Sequence, residues 1–140
     1  MTQDSGRLAQ PFIDALHVLE EAAQEETGVA VDGLAQLFAE NARLTNAAMQ
    51  LTGETRAGRE QIREFWTEYK KTVGKARSHF HQVTGNDEAV GLFWTTKGED
   101  KAWSYEGVTL LEFDGDGKIS RFHGYYDTQA LDRALERIAA

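Results

Sequence analysis

The sequence predicts an α+β fold in which a strongly curved antiparallel sheet wraps around N-terminal helices. Three observations predict it. Apolar residues recur at helical spacing through the first half, they alternate with period two from Lys75 onward, and short turn motifs join the later strands. Helices first and hairpin-linked strands afterwards is the order of a segregated fold.

Phe12, Leu16, Leu19 and Ala23 predict a first helix, with Pro11 in its first turn and Gly28 as its C-terminal cap. Asp32 reads as the N-cap of a short second helix carrying Leu34, Leu37 and Phe38. One or two short strands are expected between Arg43 and Thr52. Ile62, Phe65, Trp66, Tyr69 and Val73 form the apolar stripe of a third helix, while Arg59, Glu60, Arg63, Glu64 and Lys70 face water. Strands are predicted at 76–85, 89–96, 102–113 and 118–127. Gly85-Asn86-Asp87, Lys97-Gly98-Glu99-Asp100 and Asp114-Gly115-Asp116-Gly117 turn between them. Asp127 is positioned to cap a last helix through Leu131, Leu135 and Ile138.

No linker or repeat divides the 140 residues, so residues 1–140 are read as one domain. The net charge of −8 disfavours a nucleic-acid partner. Aliphatic runs are too short for a membrane span, and no secretory signal is visible, so a cytoplasmic protein is expected. The absence of cysteine removes thiolate chemistry. The segment from Asp114 to Ser120 resembles part of a calcium loop, but His123 stands where that loop needs a glutamate, and strands flank it. There is no phosphate-binding glycine loop and no nucleophile elbow. No metal or cofactor is expected.

The run Gly58-Arg59-Glu60-Gln61-Ile62-Arg63-Glu64-Phe65-Trp66 resembles the third-helix signature of SnoaL-like and nuclear-transport-factor-like domains. The segments from Leu34 to Ala42 and from Phe113 to Ile119, and Tyr125-Tyr126-Asp127 near the end, are similar to that superfamily in the same order. The resemblance implies a cone-shaped barrel with a deep pocket, commonly a homodimer. The ketosteroid isomerase of this superfamily has its base where this chain has Asn46 and its oxyanion-binding aspartic acid where Thr109 stands. A pocket tyrosine of that enzyme matches Trp66. The aspartate of limonene epoxide hydrolase matches Gly124. An amide, a hydroxyl and a glycine cannot replace those carboxyl groups, so neither activity is expected.

Following the same alignment, the pocket-facing set is Asn46, Trp66, Phe80, Gln82, Phe93, Thr95, Trp103, Tyr105, Thr109, Leu111, Phe113, Phe122, Gly124 and Tyr126. Of these, Asn46, Trp66, Phe80, Phe93, Trp103, Tyr105, Thr109, Phe122 and Tyr126 are the candidate ligand-binding residues. Trp66, Trp103, Phe122 and Tyr126 are expected to share one cavity of roughly 300 Å³ or more. The alternating positions put His79, His81, Trp94, Arg121, His123 and Tyr125 on the outer face, where they would form a homodimer contact. Asp127 is either a helix cap or a base, and its parity is outward.

The leading functional reading is binding of a small, largely apolar or aromatic molecule. One alternative is a cofactor-free lyase, isomerase or cyclase acting next to a carbonyl. There Tyr105 or Tyr126, assisted by Asn46, would stabilise developing negative charge. The other is a non-enzymatic module that recruits a protein through the outer sheet face.

Overall fold

Helix α1 (Thr2–Glu21) buries Phe12, Ile13, Leu16 and Leu19 along one side, which gives the chain its first packing surface. The computed structural model describes residues 2–99 and 102–139; Asp100 of the predicted turn lies outside them. The helix ends at Glu21, short of Gly28. The Glu26 side chain accepts from the Ala23 N–H at 3.4 Å and starts a 3-10 turn, Gln24–Glu26. Helix α2 (Thr27–Ala35) follows directly. Asp32 therefore lies inside α2 and pairs with Arg63 at 2.8 Å instead of capping. Pro11 stands in the interior of α1 because that helix begins at Thr2.

Phe38 opens strand β1 (Phe38–Asn46) and does not end a helix. Its burial continues with Ala42 and Leu44, a strand pattern that starts where the helical spacing stops. Asn46 ends the strand and starts the one-turn helix α3 (Ala47–Gln50), its Oδ1 accepting from Met49 N at 2.8 Å. A two-residue strand, β2 (Arg56–Ala57), then pairs with β1. Helix α4 (Arg59–Val73) buries Ile62, Trp66, Lys70 and Val73, and Gly74 in the left-handed region (φ 64°) stops it.

The remaining strands are β3 (Ala76–Gly85), β4 (Ala89–Gly98), β5 (Ser104–Phe113) and β6 (Ile119–Tyr126). Asp127 accepts from Gln129 N at 2.9 Å as α5 (Thr128–Ala139) begins, so it does the work of a cap. The sheet order is β2-β1-β6-β5-β4-β3. Three hairpin neighbours are antiparallel, but β1 runs parallel to β6, so the sheet is mixed where an antiparallel one was expected. β1 and β6 meet only after a long crossover through α4 and the meander, which leaves them pointing the same way. The curved sheet is not closed by hydrogen bonds: β2 and β3 are its edges, and α1 packs against the β3 end.

Strand register decides what the concave face carries. β6 presents Phe122, Gly124 and Tyr126 there, and β5 presents Tyr105, Thr109 and Leu111. On β4 the expected parity is reversed. Val90, Leu92, Trp94 and Thr96 are buried toward the helices, whereas Phe93 and Thr95 lie on the outer face. Ala89-Val90-Gly91-Leu92-Phe93-Trp94 is apolar at nearly every position, so alternation alone does not choose a face. Volume does: Val90, Leu92 and Trp94 fill the core better than Gly91, Phe93 and Thr95. On β3, Ser78 and Phe80 point inward. A bulge at His81 then shifts the register, leaving Gln82 exposed and Val83 packed on the core.

Candidate functional site

Between the concave sheet face and helices α1, α4 and α5 lies a cavity of about 250 Å³. Phe12 and Leu16 enter it from α1, Phe65, Trp66 and Tyr69 from α4, and Leu131 and Leu135 from α5. The sheet contributes Phe80, Trp94, Tyr105, Phe122 and Tyr126 as rings, with Asn46, Ser78, Thr96 and Thr109 as polar groups. The rings brace one another edge to face: Trp66 meets Phe122 at 5.5 Å and 89°, Trp94 meets Tyr105 at 5.3 Å and 82°, and Tyr105 meets Tyr126 at 5.7 Å and 83°. Such pairs hold their rotamers and keep the walls apart.

Two glycines act differently. A Cβ at Gly107 would stand 2.3 Å from the Tyr125 carbonyl oxygen and 2.7 Å from the Trp94 ring, so only glycine lets the indole lie over β5. At Gly124 the nearest atom would be Asn46 Cβ at 3.5 Å, an ordinary contact. Gly124 is on the cavity lining; its missing side chain contributes open space.

The polar groups are mostly committed. Trp94 Nε1 donates to Thr109 Oγ1 at 2.8 Å, and Ala48 N donates to Tyr126 Oη at 3.4 Å. Trp66 Nε1 is buried without a partner. Burial raises the phenols of Tyr105 and Tyr126 above their ordinary range, so both stay protonated at neutral pH. Tyr69 is likewise pushed well up, by burial and by the carboxylate of Glu20. That carboxylate is fully buried one hydrogen bond behind the cavity wall. It accepts from Tyr69 Oη at 2.7 Å, from Ser78 N at 2.8 Å, and from Ser78 Oγ.

Seven of the nine candidate residues meet at the cavity: Asn46, Trp66, Phe80, Tyr105, Thr109, Phe122 and Tyr126. Phe93 does not, because the β4 register turns it outward. Trp103 does not either; it packs with Val73, Ala76 and Ala134 in a satellite cluster over Gly98, at the far side of Tyr105. Trp94, expected outside, is a wall of the cavity. His123 is on the outer face, stacked on Tyr125 at 3.9 Å. Tyr69, Trp94, Ser78, Thr96 and Glu20 were missed as site residues by sequence reasoning. One signal for Glu20 was available: it follows Leu16 by four positions, which puts an acid on the buried stripe of α1.

A concave sheet face closed by helices around an aromatic cavity defines the class, and the comparisons give the family. The SnoaL-like domain family matches residues 15–122, and the chain belongs to it. Among solved structures, an NTF2-like protein of unknown function from Burkholderia pseudomallei aligns with a TM-score of 0.73, at 15% identity over 94% of this chain and 97% of its own. A protein of ketosteroid isomerase-like fold from Catenulispora acidiphila, in complex with trimethylamine, gives 0.69 at 17% identity over 91% and 93%. TerC co-crystallised with polyporic acid gives 0.66 at 19% identity over 91% and 99%. At these identities the likeness is one of fold. Among curated proteins nothing matches. Among the described residues, no helix is long and apolar enough to cross a membrane.

Proposed function

We propose that the chain binds a small, largely apolar or aromatic molecule in the cavity between helices and sheet. The observation that carries this is the open space of about 250 Å³ walled by braced aromatic rings, with Gly124 leaving room on β6. That volume lies between the roughly 150 Å³ that accommodates benzene and the roughly 300 Å³ where drug-sized pockets begin. One or two fused rings fit. That TerC, which shares the fold, was co-crystallised with polyporic acid is consistent with this use of the architecture. Titration with naphthalene derivatives, followed by amide NMR shifts and by melting temperature, tests the reading. Saturable shifts at cavity residues support it, and no change at millimolar concentration defeats it.

The reading as a lyase, isomerase or cyclase has less behind it. Among the described lining residues the one carboxylate is Glu68, which is largely in solvent and pairs with Arg56 at 2.9 Å. A base within reach of a bound substrate is the component such chemistry requires.

A second copy of the chain is the proposed partner, laid on the outer sheet face. Gln82–Phe93–Val108–Tyr125 and Thr84–Gly91–Leu110–His123 are adjacent cross-strand rows there. Arg121 and Glu112 pair at 3.0 Å at the border. A two-fold axis running along the strands between β5 and β6 would set each copy's Arg121 against the other's Glu112, a self-complementary edge beside an apolar centre.

A further inference from the structure

Hydrogen-bond directions around Glu20 are forced, and they give one wall of the cavity a fixed polarity. A carboxylate only accepts. Tyr69 Oη, 2.7 Å from Oε2, therefore donates its hydrogen to Glu20, and so does Ser78 Oγ. With that hydrogen committed, the 2.7 Å contact between Ser78 Oγ and Thr96 Oγ1 must run from Thr96 to Ser78. Tyr69, Ser78 and Thr96 all line the cavity. None of the three hydroxyls has a hydrogen left to offer, so this wall presents oxygen lone pairs alone.

Other parts of the lining have the opposite bias. Asn46 Oδ1 is occupied by Met49 N, which leaves the side-chain N–H₂ as the group available. Tyr126 Oη and Thr109 Oγ1 already accept hydrogen bonds, from Ala48 N and Trp94 Nε1, and each keeps its own hydrogen. The cavity thus has acceptors at the Glu20-backed wall and donors elsewhere. Nothing about its shape requires this division; the buried carboxylate creates it.

We infer that Glu20 is a specificity-determining residue, orienting Tyr69, Ser78 and Thr96 so that the cavity selects an aromatic molecule bearing a hydroxyl or N–H donor. This rests on the proposal that the cavity binds an aromatic ligand. Glu20 itself touches no ligand, so its role is positioning. An ether or carbonyl oxygen brought to that wall would meet lone pairs and leave buried acceptors unpaired, whereas a phenol would complete them.

The test compares 2-naphthol with 2-methoxynaphthalene, in which the donor is blocked, by NMR titration of the full chain. The wild type should bind 2-naphthol roughly ten-fold more tightly, the effect of one buried hydrogen bond made or refused. In Glu20→Gln the amide supplies hydrogens to its neighbours and releases a hydroxyl hydrogen into the cavity, so the preference should fall to about parity. Tyr69→Phe removes one acceptor oxygen while keeping Glu20, and should also reduce the ratio, which makes it the second variant should Glu20→Gln not fold. A ratio of affinities is insensitive to a merely structural defect that weakens both probes alike. Equal binding of the two probes by the wild type would overturn the donor preference and leave the binding function standing. Binding of neither would overturn both. An unchanged ratio in the folded variants would remove Glu20 from the role.

Discussion

Glu20 holds Ser78 at two points, taking its backbone N–H on Oε1 at 2.8 Å and its hydroxyl on Oε2. One turn earlier on α1, His17 donates from Nε2 to the Ser78 carbonyl at 2.8 Å. Every polar atom of Ser78 outside its own strand ladder is thus bound by two residues spaced i, i+3, and α1 is docked on the edge strand β3. Without this junction the concave face would lose its lid at the β3 end.

Glu20→Ala should destabilise the chain by about 3 kcal/mol or more, because a buried N–H and two hydroxyls lose their acceptor together. Glu20→Gln should cost less, since the amide oxygen still receives the Ser78 N–H. Urea unfolding of both variants checks the order. A loss under about 1 kcal/mol for alanine would mean that solvent reaches the junction.

The two strand glycines should separate space from support. Gly124→Val projects into the cavity from ordinary contact distances, so the fold should persist while affinity for 2-naphthol falls by roughly ten-fold or more. Gly107→Ala drives a methyl into Trp94 and the Tyr125 carbonyl and should cost about 1–3 kcal/mol. Calorimetric binding and melting temperature measured on both variants give a crossed pattern if the assignment is right.

The sequence carried the helix-then-strand order, the α4 stripe and all four meander strands, because those patterns are long and their turns are marked by glycine and aspartate. It misjudged short elements. Leu34, Leu37 and Phe38 share a spacing that helix and strand both allow, and the chain changes from α2 to β1 within it. At the cavity, the parity of β5 and β6 followed from the family resemblance, because β6 carries rings on both faces; on β4, apolar on both faces, the same reasoning gave the wrong face. The bulge at His81 leaves no mark in the sequence, and it alone reverses Gln82. Glu20 stands beside Glu21, with Glu25 and Glu26 following, and a carboxylate in such a run is ordinarily solvated. Only the closure of α1 over Ser78, 58 residues away in sequence but one hydrogen bond away in space, turns it inward.

His123 gives a pH signature. The residue is 4% exposed, neither ring nitrogen has a partner, and burial with Arg121 nearby lowers its pKa. The folded state therefore disfavours the imidazolium, while the unfolded chain takes the proton at about pH 6.5. Stability is full above that pH and declines as the pH falls below it toward the lowered folded value. The melting temperature should drop between pH 7.5 and 5.5, and His123→Phe should shrink the drop. An unaltered pH dependence in the variant would remove His123 as its source.

Assembly and folding should respond to different aromatic residues, and the β4 register says which. Tyr125 is 46% exposed beside Val108 on the outer face, in a row that continues to Phe93. Trp94 is buried against Tyr105 and Thr109. A charge at Tyr125 would sit at the apolar centre of the proposed two-fold contact but in water in a free chain, so Tyr125→Glu should yield a folded monomer. A charge at Trp94 would be buried in either state, and Trp94→Glu should fail to fold. Light scattering with circular dichroism at micromolar concentration distinguishes the two. A wild-type chain that is already monomeric, or a Tyr125→Glu variant that remains a dimer, would remove this face from the assembly.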